Sequence, residues 1–258
     1  CLFRQTNMRD NFRRLINTKA FHVAMVITII AIILFVVGII ILKYQVEGET
    51  NMPFCVTKVA LISSSESMDK DSGENRWAFD INQNNDIYIY IEKNKNYTSK
   101  EIIKSVTIDN IKVEKEKELG KINFYRPNIS DQGGTFSNTE ENLIQTIKYD
   151  GDMESNLKSL KIANQGGIIA FRYANDKIAE YTSNEEEINH NELLKKANIK
   201  EEDLKAKINF DLTIETVSGK EYKANLSFEL PIQGVVDKGI SSTEITDFKD
   251  VIFKRTKN

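Results

Sequence analysis

Residues 207–231, "KINFDLTIETVSGKEYKANLSFELP", alternate strictly between apolar and polar on both sides of Ser218-Gly219. Ile208, Phe210, Leu212 and Ile214 fall on one face of an extended segment. Tyr222, Ala224, Leu226, Phe228 and Leu230 fall on one face of the returning segment. Asp211, Glu215, Lys223 and Glu229 occupy the opposite faces. Such a hairpin has one dry side and one wet side, as an antiparallel sheet covering a core requires.

The same alternation recurs along the chain. It predicts a strand from Phe54 to Ile62, a second beginning at Trp77-Ile81, and a third in which Ile87, Ile89 and Ile91 alternate with Tyr88, Tyr90 and Glu92. Two more are expected within 105–125. The aperiodic "SSSESMDKDSGEN" reads as a solvated loop. "SLKIANQGGIIAFRYANDKIAEYTS" reads as three short strands parted by Gly166-Gly167 and by an "AND" turn. A last strand is expected near Val251–Phe253. "HNELLKKANIKEEDL" is the best helix, with Asn191 as N-cap and Leu193, Leu194 and Ala197 on one side. "SNTEENLIQTIKYD" (137–150) fits either a helix, from its Ser137/Glu140 capping-box spacing, or a strand. Frequent turns and few helices predict an all-β, antiparallel β-sandwich with one or two short helices.

Val23–Leu42, "VAMVITIIAIILFVVGIIIL", holds no charge. About 20 residues at roughly 1.5 Å each match the ~30 Å hydrocarbon core of a bilayer. Its Ile, Val, Leu and Phe content favours insertion by on the order of −5 to −9 kcal/mol. This run exceeds the usual core of a cleavable signal, and "KYQVEGETN" offers no small-x-small cleavage site, so an uncleaved span is expected over 20–43. Arg9, Arg13, Arg14 and Lys19 precede it and Glu47 and Glu49 follow, which orients residues 1–19 to the cytoplasm and 44–258 outside a cell membrane. A basic segment of about 20 residues is too short to bury a core of its own. Cys1 is expected either to precede the initiator, with Met8 the candidate start, or to mark a truncated sequence. A lipid-modified cysteine would instead follow the basic and apolar segments. Ala20, Ala24 and Thr28 recur every four residues, a spacing that permits homo-oligomeric packing of the span as well as arising by chance.

The chain has 258 residues, and its net charge is −3, but residues 1–43 contribute +5 of the opposite sign and leave −8 for the remainder. An acidic outer body disfavours nucleic acid as a partner. The two cysteines fall on opposite sides of the span, so core packing alone must hold the outer domain.

Asp80, Asn82, Asn84 and Asp86 set oxygens at every second position, like the start of a calcium loop. Position 6 is then Asn85 rather than Gly, position 12 is Ile91 rather than Glu, and "IYIYI" replaces the following helix. A turn between strands is the expected reading, with a weak calcium site as its rival. His190, in an acidic stretch, is expected at a helix start; a Cys55–His190 catalytic pair can be imagined, but Cys55 in an apolar strand is expected to be inert packing. Carboxylate pairs such as Asp150/Asp152 could serve a glycosidase, but in a chain with 38 acidic residues such pairs arise without purpose. No nucleophile elbow, phosphate loop or zinc-ligand cluster is present, so neither catalysis nor a cofactor is expected. Trp77, Tyr88 and Tyr90 are the candidate contacts for a glycan or a partner protein, unless another segment covers them.

"MRDNFRRLINTK" (8–19) with its span, and "IIAFRYANDKIAEYTSNEEEINHNELLKKANIKEEDLKAKINFDLTIE" (168–215), resemble uncharacterised single-pass membrane proteins of clostridia-like Gram-positive bacteria. The resemblance implies a location and no activity. A membrane-anchored binding or scaffolding module of the cell envelope is the leading expectation. An envelope sensor acting through a partner comes second and a carboxylate-dependent hydrolase third.

Overall fold

A computed structural model describes residues 18–45, 52–97, 100–131, 135–151 and 158–257. Two compact units emerge, Cys1–Val46 and Glu47–Asn258. In the first, helix α1 (Lys19–Gln45) begins where the Thr18 hydroxyl and carbonyl accept from the Phe21 and His22 amides. Its 27 residues rise about 40 Å. Apolar side chains from Val23 to Ile40 are exposed all round, and Thr28 satisfies its hydroxyl on the Ala24 carbonyl at 2.9 Å. The helix is long and apolar enough to cross a membrane. Of the orienting cations, Arg9, Arg13 and Arg14 lie outside the described residues; Lys19 opens the helix.

Among its described residues the second unit holds eleven strands: β1 (Phe54–Asp69), β2 (Trp77–Lys93), β3 (Ile103–Lys115), β4 (Lys121–Tyr125), β5 (Ile147–Asp150), β6 (Leu160–Lys161), β7 (Gly166–Ser183), β8 (Ala206–Thr216), β9 (Glu221–Glu229), β10 (Ile240–Ile245) and β11 (Lys254–Lys257). Two α-helices of one turn each, α2 (Leu193–Lys196) and α3 (Val235–Lys238), complete it with short 3-10 turns. Sheet A runs β10-β1-β2-β7-β4, and sheet B runs β11-β9-β8-β3-β5-β6. Every pairing is antiparallel except β5–β6.

The hairpin of β8 and β9 forms as its alternation demands, with Ile208 opposite Phe228 and Leu212 opposite Ala224. All nine apolar positions are buried. They meet Ile87, Ile89 and Ile91 of β2 and Phe171 of β7 in one apolar cluster to which both sheets contribute. Phe171 and Phe210 touch edge to face with centroids 5.1 Å apart.

Several expectations were overturned by one feature. Strands β1, β2 and β7 are 16, 17 and 18 residues long, roughly 55 Å each. They run past the end of sheet B into a second cluster made by Phe79, Ile81, Ile178, Leu193, Leu194, Leu204, Val235 and Val236. The serine-rich stretch after Ile62 is therefore not a loop as far as Asp69; it pairs residue by residue with β2. No turn forms at 80–86 either, because β1 and β7 flank that stretch on both sides. Its buried amides find partners there. Gln83 donates to the Ser63 hydroxyl at 3.2 Å and Asn85 to the Tyr173 carbonyl at 3.3 Å. Nor does "AND" end a strand. Asp176, Lys177 and Ile178 bulge opposite Asn82, with Lys177 at φ +57° and its N–H held by the Asn82 side chain at 2.8 Å.

The helix expected after His190 is cut to four residues, between a 3-10 turn capped by Asn189, not Asn191, and another at Glu201–Leu204. Leu193 and Leu194 are buried as anticipated. Residues 137–150 contain both alternatives in miniature, a 3-10 turn at Glu140–Asn142 and then β5. The last strand starts at Lys254, just beyond the expected Val251–Phe253. β10, with no apolar alternation to announce it, went unforeseen.

Candidate functional site

Alternation on β2 decides which side chains share a face. Ile87, Ile89 and Ile91 point into the core, so Asp80, Asn82, Asn84, Asp86, Tyr88 and Tyr90 project from the outer face of sheet A. From Asp80 to Asp86 is about 20 Å of extended chain, whereas calcium ligands must converge within about 2.6 Å of one ion. The four calcium candidates therefore do not share a centre, and each has another partner. Asp80 faces Lys70 at 3.3 Å and Lys177 at 3.6 Å. Asn84 donates to Glu66, and Asp86 binds Arg172. Among the described residues no group of three or more His, Cys, Asp or Glu is placed to hold a metal.

Arg172 of β7 lies directly across from Asp86. Its Nε donates to Asp86 Oδ1 at 2.6 Å and its Nη2 to Oδ2 at 3.0 Å, with both side chains some 13–14% exposed. Nη1 donates to Asn138 Oδ1 at 2.9 Å, while Asn138 donates to Asn84 at 3.0 Å. Phe136 spreads over the guanidinium, 4.9 Å from its carbon, and meets the Tyr88 ring at 6.2 Å and 71°. The connection between β4 and β5 is thus pinned across the sheet. Asn142, buried within it, donates to Asn128, Ser137 and Thr139. Burial, with Asp86 nearby, pushes the Tyr88 phenol above its ordinary pKa. At the same edge burial and the adjacent Asp176 push Tyr125 up to about 12.

Tyr90 is placed differently. Lys58 of β1 reaches over its ring, 4.2 Å from the centroid, and pairs with Glu244 at 3.0 Å. The hydrogen bond to Glu244 raises the Lys58 pKa, outweighing the opposing effect of burial. On the other side Tyr90 is in register with Ile168, which is 50% exposed. Together they line a groove of about 340 Å³ with Glu92, Lys93, Gln165 and Gly166.

Two of the three aromatic candidates are brought together. Trp77 is not with them. It sits eleven residues from Tyr88, roughly 36 Å, on the inward side, where it stacks on Phe79 at 6.1 Å and donates to the Glu185 carbonyl. Its role is to close the second apolar cluster.

The residues weighed for catalysis are scattered. His190 is exposed at the start of its 3-10 turn, 3.0 Å from the Ser67 hydroxyl and edge-on to Phe79. Cys55 stands twelve residues from Ser67 along β1, roughly 40 Å away, so Cys55 and His190 cannot act as a pair. Asp150 lies on β5, and Asp152 lies outside the described residues. Phe136, Arg172, Lys58 and Ile168 were missed by sequence reasoning. The opposition of β2 with β7 identifies Arg172 and Ile168, the β1–β2 pairing identifies Lys58, and the packing of the β4–β5 connection identifies Phe136; no local pattern encodes any of these. No protein-family model, curated protein or solved structure matches this chain.

Proposed function

We propose that the chain is a membrane-anchored binding or scaffolding module that displays an antiparallel β-sandwich outside the cell membrane and performs no catalysis itself. The sandwich reading is supported by the larger apolar cluster, to which both sheets contribute. The outward orientation is supported by Arg9, Arg13, Arg14 and Lys19 ahead of the span and the −8 balance beyond it.

One observation carries the binding role. The outer face of sheet A presents Tyr90 and Ile168 in adjacent rows beside the ion-paired Lys58, with Tyr88 half-buried against Phe136 of the β4–β5 connection at one side. Rigid aromatic rings next to an exposed aliphatic side chain and an ion-paired lysine suit an envelope protein or a glycan. Among the described residues this patch itself places no nucleophile beside a base.

A photo-crosslinking side chain at Ile168, and separately at Ser227 on the outer face of sheet B, tests this in intact cells. Adducts from position 168 in clear excess over 227 are expected. Equal yields at the two positions, or cleavage of wall glycans or peptides by the purified chain, would overturn the reading.

A further inference from the structure

Sheet A has two edges and sheet B has two, and three of the four are obstructed. β11 reads Lys-Arg-Thr-Lys, a charged edge of the kind that repels further strands. β6 is two residues long. β4 is partly covered by its own connection, through the Tyr125–Leu143 bridge and the Ile144 N–H on the Phe124 carbonyl. β10 differs. It has six residues, no proline, no lysine and one charge, Glu244, which Lys58 already neutralises. Among the described residues no strand lies on its outer side.

The direction of its backbone groups follows from one bond. The Ser65 N–H donates to the Gly239 carbonyl at 2.9 Å, in the same register that pairs Ser63 with Ser241 and Leu61 with Thr243. Hydrogen-bonded and non-hydrogen-bonded pairs alternate along an antiparallel ladder. Gly239, Ser241, Thr243 and Ile245 therefore bond to β1, while Ile240, Ser242 and Glu244 aim their N–H and C=O groups outward.

We infer that β10 is a self-association edge, pairing antiparallel with β10 of a second copy about a two-fold axis at Ser242. The inference does not depend on what the outer face of sheet A binds. Residues opposed in one continuous sheet must lie on the same face, so their numbers share parity. Centring on Ser242 opposes Ser242 to itself and Ile240 to Glu244 twice. All three outward-bonding residues then form closely spaced pairs, six backbone hydrogen bonds in all. Centring on Thr243 leaves Ile240 outside the strand pairing and makes fewer. Glu244 is paired with Lys58, so no unpaired carboxylate stands in the contact itself. Ile240, 55% exposed, gains cover.

Single cysteines in the full chain, with Cys1 and Cys55 changed to Ser, test the register in membranes and in detergent. Opposed Ser242 residues place their Cα atoms about 5.5 Å apart, within disulfide range. Ser242→Cys is expected to form a disulfide dimer under mild oxidation. Ile240→Cys and Thr243→Cys are not, because neither position faces itself. Ser242→Pro removes two of the six bonds without touching the β1 ladder and weakens dimerisation on the order of ten-fold or more. Absence of a Ser242→Cys dimer, equal linkage at all three positions, or linkage from position 242 to a different protein would each overturn the inference.

Discussion

Arg172 and Asp86 are the pair whose loss is expected to cost most on the outer face of sheet A. Both side chains are about seven-eighths buried and joined by two short parallel bonds. Replacing Arg172 by Met leaves a carboxylate shielded from water with no cation beside it. Stripping one partner from a buried pair typically costs 3–5 kcal/mol. The residual exposure places this site at the low end, about 3 kcal/mol. Loss of the bond to Asn138 and of the stacking on Phe136 acts in the same direction. Asp86→Asn, which strands the guanidinium instead, should cost a similar amount.

The double replacement Arg172→Met with Asp86→Asn removes both charges. It should cost well under the sum of the single changes, with a coupling of about 2 kcal/mol or more. Urea unfolding of the full chain in detergent, followed by far-ultraviolet circular dichroism, measures this directly. At a slope of about 3 kcal/mol per molar, each single change lowers the midpoint by roughly 1 M. Limited proteolysis should show faster cutting within 126–142 in both single variants. Additive midpoints, or single changes that leave the midpoint within about 0.2 M, would refute the argument that this pair clamps the connection to the sheet.

Two further outcomes follow from local geometry. Gly120 has φ +63°, and a Cβ there would run into the Asp176 carbonyl and stand 2.8 Å from Asn175 Oδ1, so Gly120→Ala should destabilise by about 2–3 kcal/mol, read as a matching fall in urea midpoint. Burial opposes ionisation of Glu101, but hydrogen bonds from Lys220 at 2.8 Å and Ser218 at 2.7 Å outweigh it and hold its carboxyl below the ordinary value. Its contribution is therefore complete above the unfolded value near pH 4.5 and lost as pH falls through the lower folded value. Thermal melts between pH 7 and pH 3 should decline less steeply in Glu101→Gln than in the parent chain.

The parts of this molecule that were legible in its sequence are those where a side chain's fate is set by its neighbours two residues away. Ile208 through Leu230 alternate, and the hairpin obeys. The apolar helix needs only length and composition. What escaped notice has its partners far along the chain. Ser63, Gln83 and Asn85 are polar, carry no apolar period, and read as loop or turn. They are strand because Ser63 meets Gln83 across 20 residues and Asn85 meets the Tyr173 carbonyl across 88. A polar residue in a strand interior is costly only while unpartnered, and no local rule can see a partner that distant.

The same reasoning accounts for the site. Tyr88 and Tyr90 were recoverable because their outward direction follows from Ile87 and Ile89. Trp77 was misassigned because its parity along β2, odd like the isoleucines, matters only once 80–86 is known to be strand rather than turn. A turn there would have uncoupled Trp77 from Tyr88 and left their relative faces open. With the strand unbroken, they must lie on opposite sides of sheet A. The polar centre of β2 therefore determines both how far the sheet extends and which aromatics can meet one ligand. A substitution that restored a turn there, such as Asn84→Pro with Asn85→Gly, would be expected to separate the two apolar clusters before it disturbed either one.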